Sequence, residues 1–222
     1  MRNIKSHVRI NDILLGPLER PALQWLSARM PPWMTPDMLT AIGTFGAVMI
    51  FTGYVLTHSH KGYLWLASFG FLINWFGDSL DGTLARYREI ERPKYGYFVD
   101  HTVDSFNEMI IILGLGLSLY MRFEIAAMIL IGYLLMSIFV FISTSVTGEF
   151  RISYGMLGPT EVRVIAVILN TLIFFFGNPN FRVGQTTLSV VDVAGGIVAL
   201  VLIGIYVFSS WKEAVKLHQL GE

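Results

Sequence analysis

The stretch "GDSLDGTLARYREIERPKYGYFVDHTVDSF", Gly77–Phe106, concentrates charge in a chain that is otherwise apolar. It holds four aspartates, two glutamates and four basic residues. The whole chain is 54% apolar and 14% charged, and its mean hydropathy is +0.58, which is far from the profile of a soluble domain. The stretch therefore indicates a group of carboxylates at the edge of a membrane protein.

Six segments around and within this stretch have the length of membrane helices, roughly 20 residues or more for a hydrocarbon layer of about 30 Å. They lie at 36–57, 62–88, 95–121, 123–147, 159–177 and 188–211. We expect a hairpin at "MRFE", residues 121–124, because the third and fourth segments joined would far exceed a membrane thickness. The sequence predicts an all-α, integral membrane bundle of six transmembrane helices.

We assign residues 1–35 to a cytoplasmic lead-in and 36–222 to a single transmembrane catalytic domain. In "LERPALQWLSARM", Leu18, Ala22, Trp25 and Leu26 recur near helical spacing, which favours an amphipathic helix in the membrane interface over a disordered leader. Residues 1–16 lack the apolar region and cleavage site of a signal peptide. We therefore expect the later helices to direct membrane insertion.

Basic residues predict the orientation of the chain. All sixteen Lys and Arg residues except Lys61, Arg122 and Arg182 fall on one side of the six spans. The positive-inside rule then places both termini and the charged stretch in the cytoplasm. The chain has no cysteine, which excludes disulfides and cysteine metal sites, and no basic patch with interleaved aromatics indicates nucleic acid as a partner.

The aspartates of the charged stretch are spaced for a shared metal site. Asp78 and Asp81 are three residues apart on one expected helix, and Asp100 and Asp104 are four apart on the next. Each pair alone is typical of a helix end or a solvated face, but intramembrane carboxylates are usually functional. Four such carboxylates would repel one another without a cation, and they favour two Mg²⁺ or Mn²⁺ ions suited to phosphoryl transfer.

Small residues follow the first aspartate pair. A glycine at position 82 weakens a helix by about 1 kcal/mol relative to alanine. Close approach of a ligand to the helix would explain why glycine is nevertheless present. Ala85 keeps the same surface low, and Arg86 offers a forked donor for phosphate oxygens.

These residues resemble the signature of the CDP-alcohol phosphotransferase (CDP-alcohol phosphatidyltransferase) family, DxxDGxxAR followed by GxxxDxxxD. The signature is complete from Asp78 to Asp104, with Gly96 opening its second half. The resemblance implies a transferase of phospholipid synthesis that cleaves the diphosphate of a CDP-linked donor, passes the phosphoalcohol group to a hydroxyl and releases CMP. CDP-diacylglycerol with a small polar acceptor is the preferred pair. A small CDP-alcohol donor with diacylglycerol as acceptor is the alternative.

The resemblance also implies roles for single residues. Asp78, Asp81 and Asp100 would ligate the two ions, and Asp104 would complete the second ion site and serve as a candidate general base. The CDP pocket would be lined by Gly82, Ala85 and Arg86, beside Asp78 and Asp81.

His101 introduces a second candidate base. "DHTVDS" is similar to the pattern of the choline and ethanolamine phosphotransferases, in which the histidine is a rival general base. On a helix, His101 points about 100° away from Asp100, so a supporting or interface role is an equal alternative.

Acceptor binding and assembly rest on weaker features. Arg151 and Arg163 would bind an acceptor's phosphate, as basic residues of this region do in members that use phosphorylated alcohols, or they are topology signals of a cytoplasmic loop. A homodimer is implied by the resemblance alone. Intramembrane prenyltransferases and cation transporters are rival classes. They fit less well, because prenyltransferase aspartate clusters lie far apart in sequence and transporters place their carboxylates near the membrane midplane.

Overall fold

The computed structural model describes residues 14–147 and 158–219. These ranges contain seven helices: α1 Gly16–Ser27, α2 Pro36–Leu56, α3 Tyr63–Tyr87, α4 Pro93–Gly116, α5 Phe123–Thr147, α6 Pro159–Phe176 and α7 Val190–Gln219. A helix occupies each of the six expected segments, and the hairpin between α4 and α5 is present. The all-helical prediction omitted one small antiparallel sheet, in which β1 Asn180–Val183 pairs with β2 Thr186–Ser189.

Of the helices in the described part of the chain, four are long and apolar enough to cross a membrane. They are α2, α5, α6 and α7. This pattern is that of a multi-pass membrane protein. Helices α3 and α4, with 25 and 24 residues, are long enough to cross a membrane but carry the carboxylates of the charged stretch, which lowers their hydropathy.

The starts of α2 and α6 follow the expected capping chemistry. Thr35 accepts a hydrogen bond from the Met38 backbone N–H at 3.2 Å, and Pro36 occupies the first helical position. At α6, the Glu161 carboxylate accepts a hydrogen bond from the Gly158 N–H at 2.9 Å. Both helices begin at the end of the bundle that carries the charged stretch, because Thr40 of α2 bonds to Asp81 and Arg163 of α6 bonds to Asp78.

Helix α2 lies in the centre of this end and packs against both α3 and α4. Its glycines allow close approach, because a side chain at Gly46 would collide with the Asn74 backbone and one at Gly77 with the Gly43 backbone. Helix α6 packs against α3, while α5 packs against α4 and α7. The C-terminal end of α3 thus meets the N-terminal ends of α2, α4 and α6, and we call this region the carboxylate end.

Helix α1 docks at the carboxylate end. Leu23 is buried in an apolar cluster with Leu39, Leu80 and Leu84. The Glu19 carboxylate accepts hydrogen bonds from Trp75 Nε1 and Thr160 Oγ1, both at 2.7 Å. These contacts fix α1 against α3 and α6.

Candidate active site

The four aspartates of the charged stretch converge at the carboxylate end. The charge of Asp81 interacts with those of Asp78 and Asp100. Asp104 lies within hydrogen-bonding reach of Asp78 and also interacts with Asp100. The structure therefore brings together the two pairs that the sequence spacing placed on separate helices.

His101 stands beside the two aspartates of α4. One potential ligand atom each from Asp100, His101 and Asp104 lies within 4.8 Å of the other two. His101 Nδ1 is 4.0 Å from Asp100 Oδ2, and the imidazole packs edge-on against Tyr97 with 4.3 Å between ring centroids. The helical offset that separates His101 from Asp100 thus leaves the imidazole within reach of both carboxylates.

Asp81 is oriented by two donors. Thr40 Oγ1 of α2 donates to Asp81 Oδ2 at 2.6 Å, and the Gly82 N–H donates to Oδ1 at 2.5 Å. The sequence interpretation did not include Thr40, which lies one turn inside α2, five residues after the cap at Thr35. Its role depends on the close approach of α2 and α3, which the glycines alone could have suggested.

Asp78 is paired with Arg163 of α6. Arg163 Nη2 is 2.5 Å from Asp78 Oδ2, and Nε donates to Asn74 Oδ1 at 2.8 Å. Asn74 is fixed in turn, because its Nδ2 donates to the Gly43 carbonyl at 3.0 Å. Arg163 therefore lies inside the carboxylate cluster, whereas Arg151, its expected companion, lies outside the described residues.

Gly82, Ala85 and Arg86 line the last turns of α3 beside Asp81. Arg86 Nη2 donates to Thr83 Oγ1 at 3.3 Å, and a Cβ at Gly82 would lie 3.4 Å from Arg86 Nη1. The guanidinium of Arg86 thus lies directly beside the position that a side chain at Gly82 would occupy.

Arg88 is a structural residue of this end that the sequence interpretation missed. Its guanidinium donates to the backbone carbonyls of Met34 at 2.6 Å, Pro31 at 2.8 Å and Met30 at 3.1 Å. These bonds tie the linker between α1 and α2 to the end of α3. Nearby, Arg92 pairs with Asp37 at 2.8 Å, and this hydrogen-bonded carboxylate raises the pKa of Arg92 further.

The donor set fits hard divalent cations. Four carboxylates supply oxygen ligands, which Mg²⁺ and Mn²⁺ prefer, and the described part of the chain contains no cysteine. Arg163 neutralises only one of the four carboxylates directly. The remaining negative charge is what bound divalent ions would compensate.

A groove opens next to the cluster. It has a volume of about 380 Å³ and is lined by Tyr97, Phe98, His101, Thr102, Ser105 and Phe141. His101 is therefore shared between the carboxylates on one side and a largely aromatic surface on the other.

Comparison with known proteins identifies the family. A family model described as CDP-alcohol phosphatidyltransferase matches residues 33–204. The chain is 37% identical over 84 residues to a phosphatidylinositol phosphate synthase of Cutibacterium acnes, and this alignment covers 38% of each chain. It is 25% identical over 191 residues to cholinephosphotransferase 1 of Danio rerio, covering 78% of this chain and 48% of that relative. The corresponding Mus musculus protein is 24% identical over 215 residues, covering 89% and 53%.

The chain thus spans about half the length of the cholinephosphotransferases it matches, and less of the bacterial synthase. The family model, by contrast, covers most of this chain and includes the whole stretch from Asp78 to Asp104. The chain belongs to the CDP-alcohol phosphatidyltransferase family.

Proposed function

We propose that this protein transfers a phosphoalcohol or phosphatidyl group from a CDP-linked donor to a hydroxyl acceptor and releases CMP, as a step of phospholipid synthesis. The observation that carries the proposal is the convergence of the four aspartates at one end of the bundle. CDP-diacylglycerol with a small polar acceptor is the first choice of substrates. Family membership disfavours the prenyltransferase and cation-transporter alternatives.

We assign Asp78, Asp81, Asp100 and Asp104 to two Mg²⁺ or Mn²⁺ ions. Such ions, when bound, neutralise a diphosphate and stabilise the charge that develops on the leaving phosphate. Thr40 would hold the Asp81 carboxylate in the orientation that ligation requires, because it already fixes one of its oxygens.

The remaining residues would position the donor. The helix surface at Gly82 and Ala85, from which no long side chain projects, would admit the CDP moiety, and the neighbouring Arg86 guanidinium would bind its phosphate oxygens. The acceptor oxygen would form a bond to the phosphorus of the phosphoalcohol. The bond from this phosphorus to the bridging oxygen would break, and CMP would leave with the electron pair.

Two residues remain candidates for the base that takes the proton from the acceptor hydroxyl. Asp104 faces the other carboxylates, whereas His101 lies between them and the groove. If His101 is the base, His101→Gln lowers turnover while the affinity for Mn²⁺ is kept. If Asp104 is the base and a ligand, Asp104→Asn lowers both, and measuring both quantities in the two variants separates these cases.

The groove favours a second candidate function. Its aromatic lining around His101 suits a lipid hydroxyl such as that of diacylglycerol, with a small CDP-alcohol as donor. Two of the relatives described above are cholinephosphotransferases, which supports keeping this alternative.

We further propose six membrane spans. Helices α3 and α4 contain 25 and 24 residues, about 37 and 36 Å at a rise of 1.5 Å per residue. Helix α3 contacts α2 from Gly43 opposite Gly77 to Gly53 opposite Ala67. Helix α4 does the same, from the Arg92–Asp37 pair to the 2.9 Å contact of His58 Nε2 with the Leu117 carbonyl. If α2 crosses the membrane, these contacts support crossing by both neighbours.

Other expectations remain proposals. The exposed Leu18 and Trp25 of α1, with the exposed Leu14 just before the helix, support an interfacial helix on the membrane surface, since the opposite face docks on the bundle. We keep as a proposal the division into a lead-in at 1–35 and a catalytic domain at 36–222. The positive-inside rule further predicts that both termini and the active site face the cytoplasm, and the family resemblance implies a homodimer.

The reverse reaction tests the function. Purified protein with Mn²⁺ and CMP is incubated with defined phospholipids, and the products are identified by mass spectrometry. Formation of CDP-diacylglycerol supports the first choice, and formation of a small CDP-alcohol with diacylglycerol supports the second. Absence of any CMP-dependent product across a full lipid extract would contradict both.

A further inference from the structure

Arg163 places a buried positive charge on a carboxylate that we assign to metal binding. Its Nη2 contacts Asp78 Oδ2 at 2.5 Å, and the residue is only 9% exposed. A guanidinium and a divalent cation repel each other strongly at such short range in a poorly solvated site. Arg163 and a cation on Asp78 are therefore competitors for the same carboxylate.

The guanidinium is only partly satisfied where it lies. Nη2 and Nε have partners, but no acceptor among the described residues bonds to the buried Nη1. A buried donor without an acceptor is costly and uncommon in native proteins. Nη1 is thus available to an anionic group that enters the carboxylate end.

Arg163 has other carboxylates near it besides that of Asp78. Its charge also interacts with Asp104 and with Glu108, one turn further along α4. A guanidinium displaced from Asp78 therefore keeps neighbouring negative charge, so its release does not leave an isolated buried cation.

We propose that Arg163 is the internal counter-ion of the carboxylate site: a divalent cation displaces it from Asp78, and the released guanidinium binds a phosphate oxygen of the substrate. This inference rests on the proposed function and adds an order of events to it. Because binding free energies are linked, a cation and a phosphate then strengthen each other's binding through Arg163.

Calorimetric titration of the purified full chain with Mn²⁺, without nucleotide, measures the competition directly. Arg163→Gln removes the competitor, and we expect its Mn²⁺ affinity to rise roughly tenfold, the scale of one charged hydrogen bond. Asn74→Ala removes the acceptor of Arg163 Nε without changing any charge, and we expect a rise of roughly threefold. Arg92→Gln, which removes an exposed arginine paired with Asp37, is the matched control and should leave the affinity unchanged.

The charge-neutral variant separates displacement from general electrostatics. Loss of a nearby positive charge strengthens cation binding by itself, but Asn74→Ala keeps every charge and still weakens the hold on Arg163. The Mn²⁺ titration is repeated in the presence of inorganic phosphate. The phosphate should raise the Mn²⁺ affinity of the wild-type protein more than that of Arg163→Gln. Circular dichroism checks that each variant is folded. If Arg163→Gln does not fold, the Mn²⁺ affinity of Asn74→Ala alone decides whether the cation displaces Arg163.

The outcomes distinguish this inference from the proposed function. Suppose that the wild-type protein binds Mn²⁺ and that Asp100→Asn removes this binding. If Arg163→Gln and Asn74→Ala then bind Mn²⁺ no more tightly than the wild type, the displacement is overturned and the metal site remains supported. Wild-type protein that binds no Mn²⁺ would overturn the metal site itself, and the inference with it.

Discussion

Asp100 connects the two halves of the proposed metal site. It interacts with Asp81 across the cluster and lies beside His101 and Asp104 on its own helix. Its side chain is 32% exposed, so we expect its replacement to disturb the fold less than that of a buried carboxylate. A single change here separates metal chemistry from folding.

Asp100→Asn should abolish turnover, with a loss of roughly 100-fold or more, because a neutral amide ligates a divalent cation poorly. Turnover in the CMP-dependent reaction and Mn²⁺ binding by calorimetry are both measured. Asp37→Asn is the matched control, since it removes an exposed carboxylate at the same end that pairs with Arg92. Near-normal turnover of Asp100→Asn would contradict the metal assignment.

Gly82 tests the proposed nucleotide surface. Alanine raises helix propensity by about 1 kcal/mol, and its Cβ would lie 3.4 Å from Arg86 Nη1, an ordinary contact. We therefore expect Gly82→Ala to keep or raise the thermal stability while the affinity for CMP falls roughly tenfold, because the added methyl group would hold the nucleotide away from the helix surface.

Thermal unfolding in detergent and CMP binding are measured on the same preparation of Gly82→Ala. Gly196→Ala is its control, because a Cβ there meets no described atom within 4 Å and the residue lies on α7. Unchanged CMP affinity in Gly82→Ala would show that the nucleotide does not approach this surface.

At the scale of the elements, the helices were predictable because their signals are local. Apolar length marked the six segments, and Thr35 with Pro36 marked the start of α2. The hairpin of β1 and β2 was missed because each strand has only four residues, too few to show a period. The C-terminal end of α7 was placed too early, at residue 211, since polar residues continue the helix to Gln219.

The composition of the site was predictable, but its internal bonds were not. The four aspartates recur at short, recognisable spacings in the sequence. The pairing of Arg163 with Asp78, by contrast, joins residues on α6 and α3 that are 85 positions apart. The hydrogen bond from Thr40 to Asp81 and the carbonyl contacts of Arg88 are equally non-local. Such contacts depend on which helices pack together, and no periodicity or motif in the sequence indicates that packing.

The start of α7 depends on a capping box that the structure makes explicit. Asp192 is 5% exposed and accepts hydrogen bonds from the Ser189 N–H at 2.9 Å and the Arg122 N–H at 2.7 Å. The Asp192 N–H donates in return to Ser189 Oγ at 3.0 Å. One carboxylate thus joins the hairpin, α7 and the loop before α5.

Asp192→Asn should destabilise the fold by about 1–3 kcal/mol, because an amide cannot accept at both of its polar atoms and one buried N–H loses its partner. Thermal unfolding in detergent measures the loss. The folded protein should keep its CMP-dependent turnover, since Asp192 lies at the opposite end of the bundle from the aspartate cluster. An unchanged melting temperature, or a loss of turnover at full stability, would contradict this role.

For the whole molecule, the number of spans decides where the active site lies. Helices α3 and α4 fall short of the apolarity of a membrane span because they carry the carboxylates of the charged stretch. The same helices contact α2 along its length, as the proposed six spans require. The four aspartates are only partly buried, but they face one another at the carboxylate end, and charge that faces protein does not contact lipid.

Single-cysteine labelling tests this topology in a chain that has no native cysteine. Ser59→Cys, Glu91→Cys and Gln185→Cys place an exposed thiol in the α2–α3 loop, the α3–α4 loop and the β-hairpin. With six spans, a membrane-impermeant maleimide added to right-side-out vesicles labels the cysteines at 59 and 185. Glu91→Cys reacts only in inverted vesicles, because α3 has crossed back to the cytoplasmic side. If only α2, α5, α6 and α7 cross, Glu91→Cys reacts from the same side as Ser59→Cys, and that result would place the aspartate cluster on the outer face.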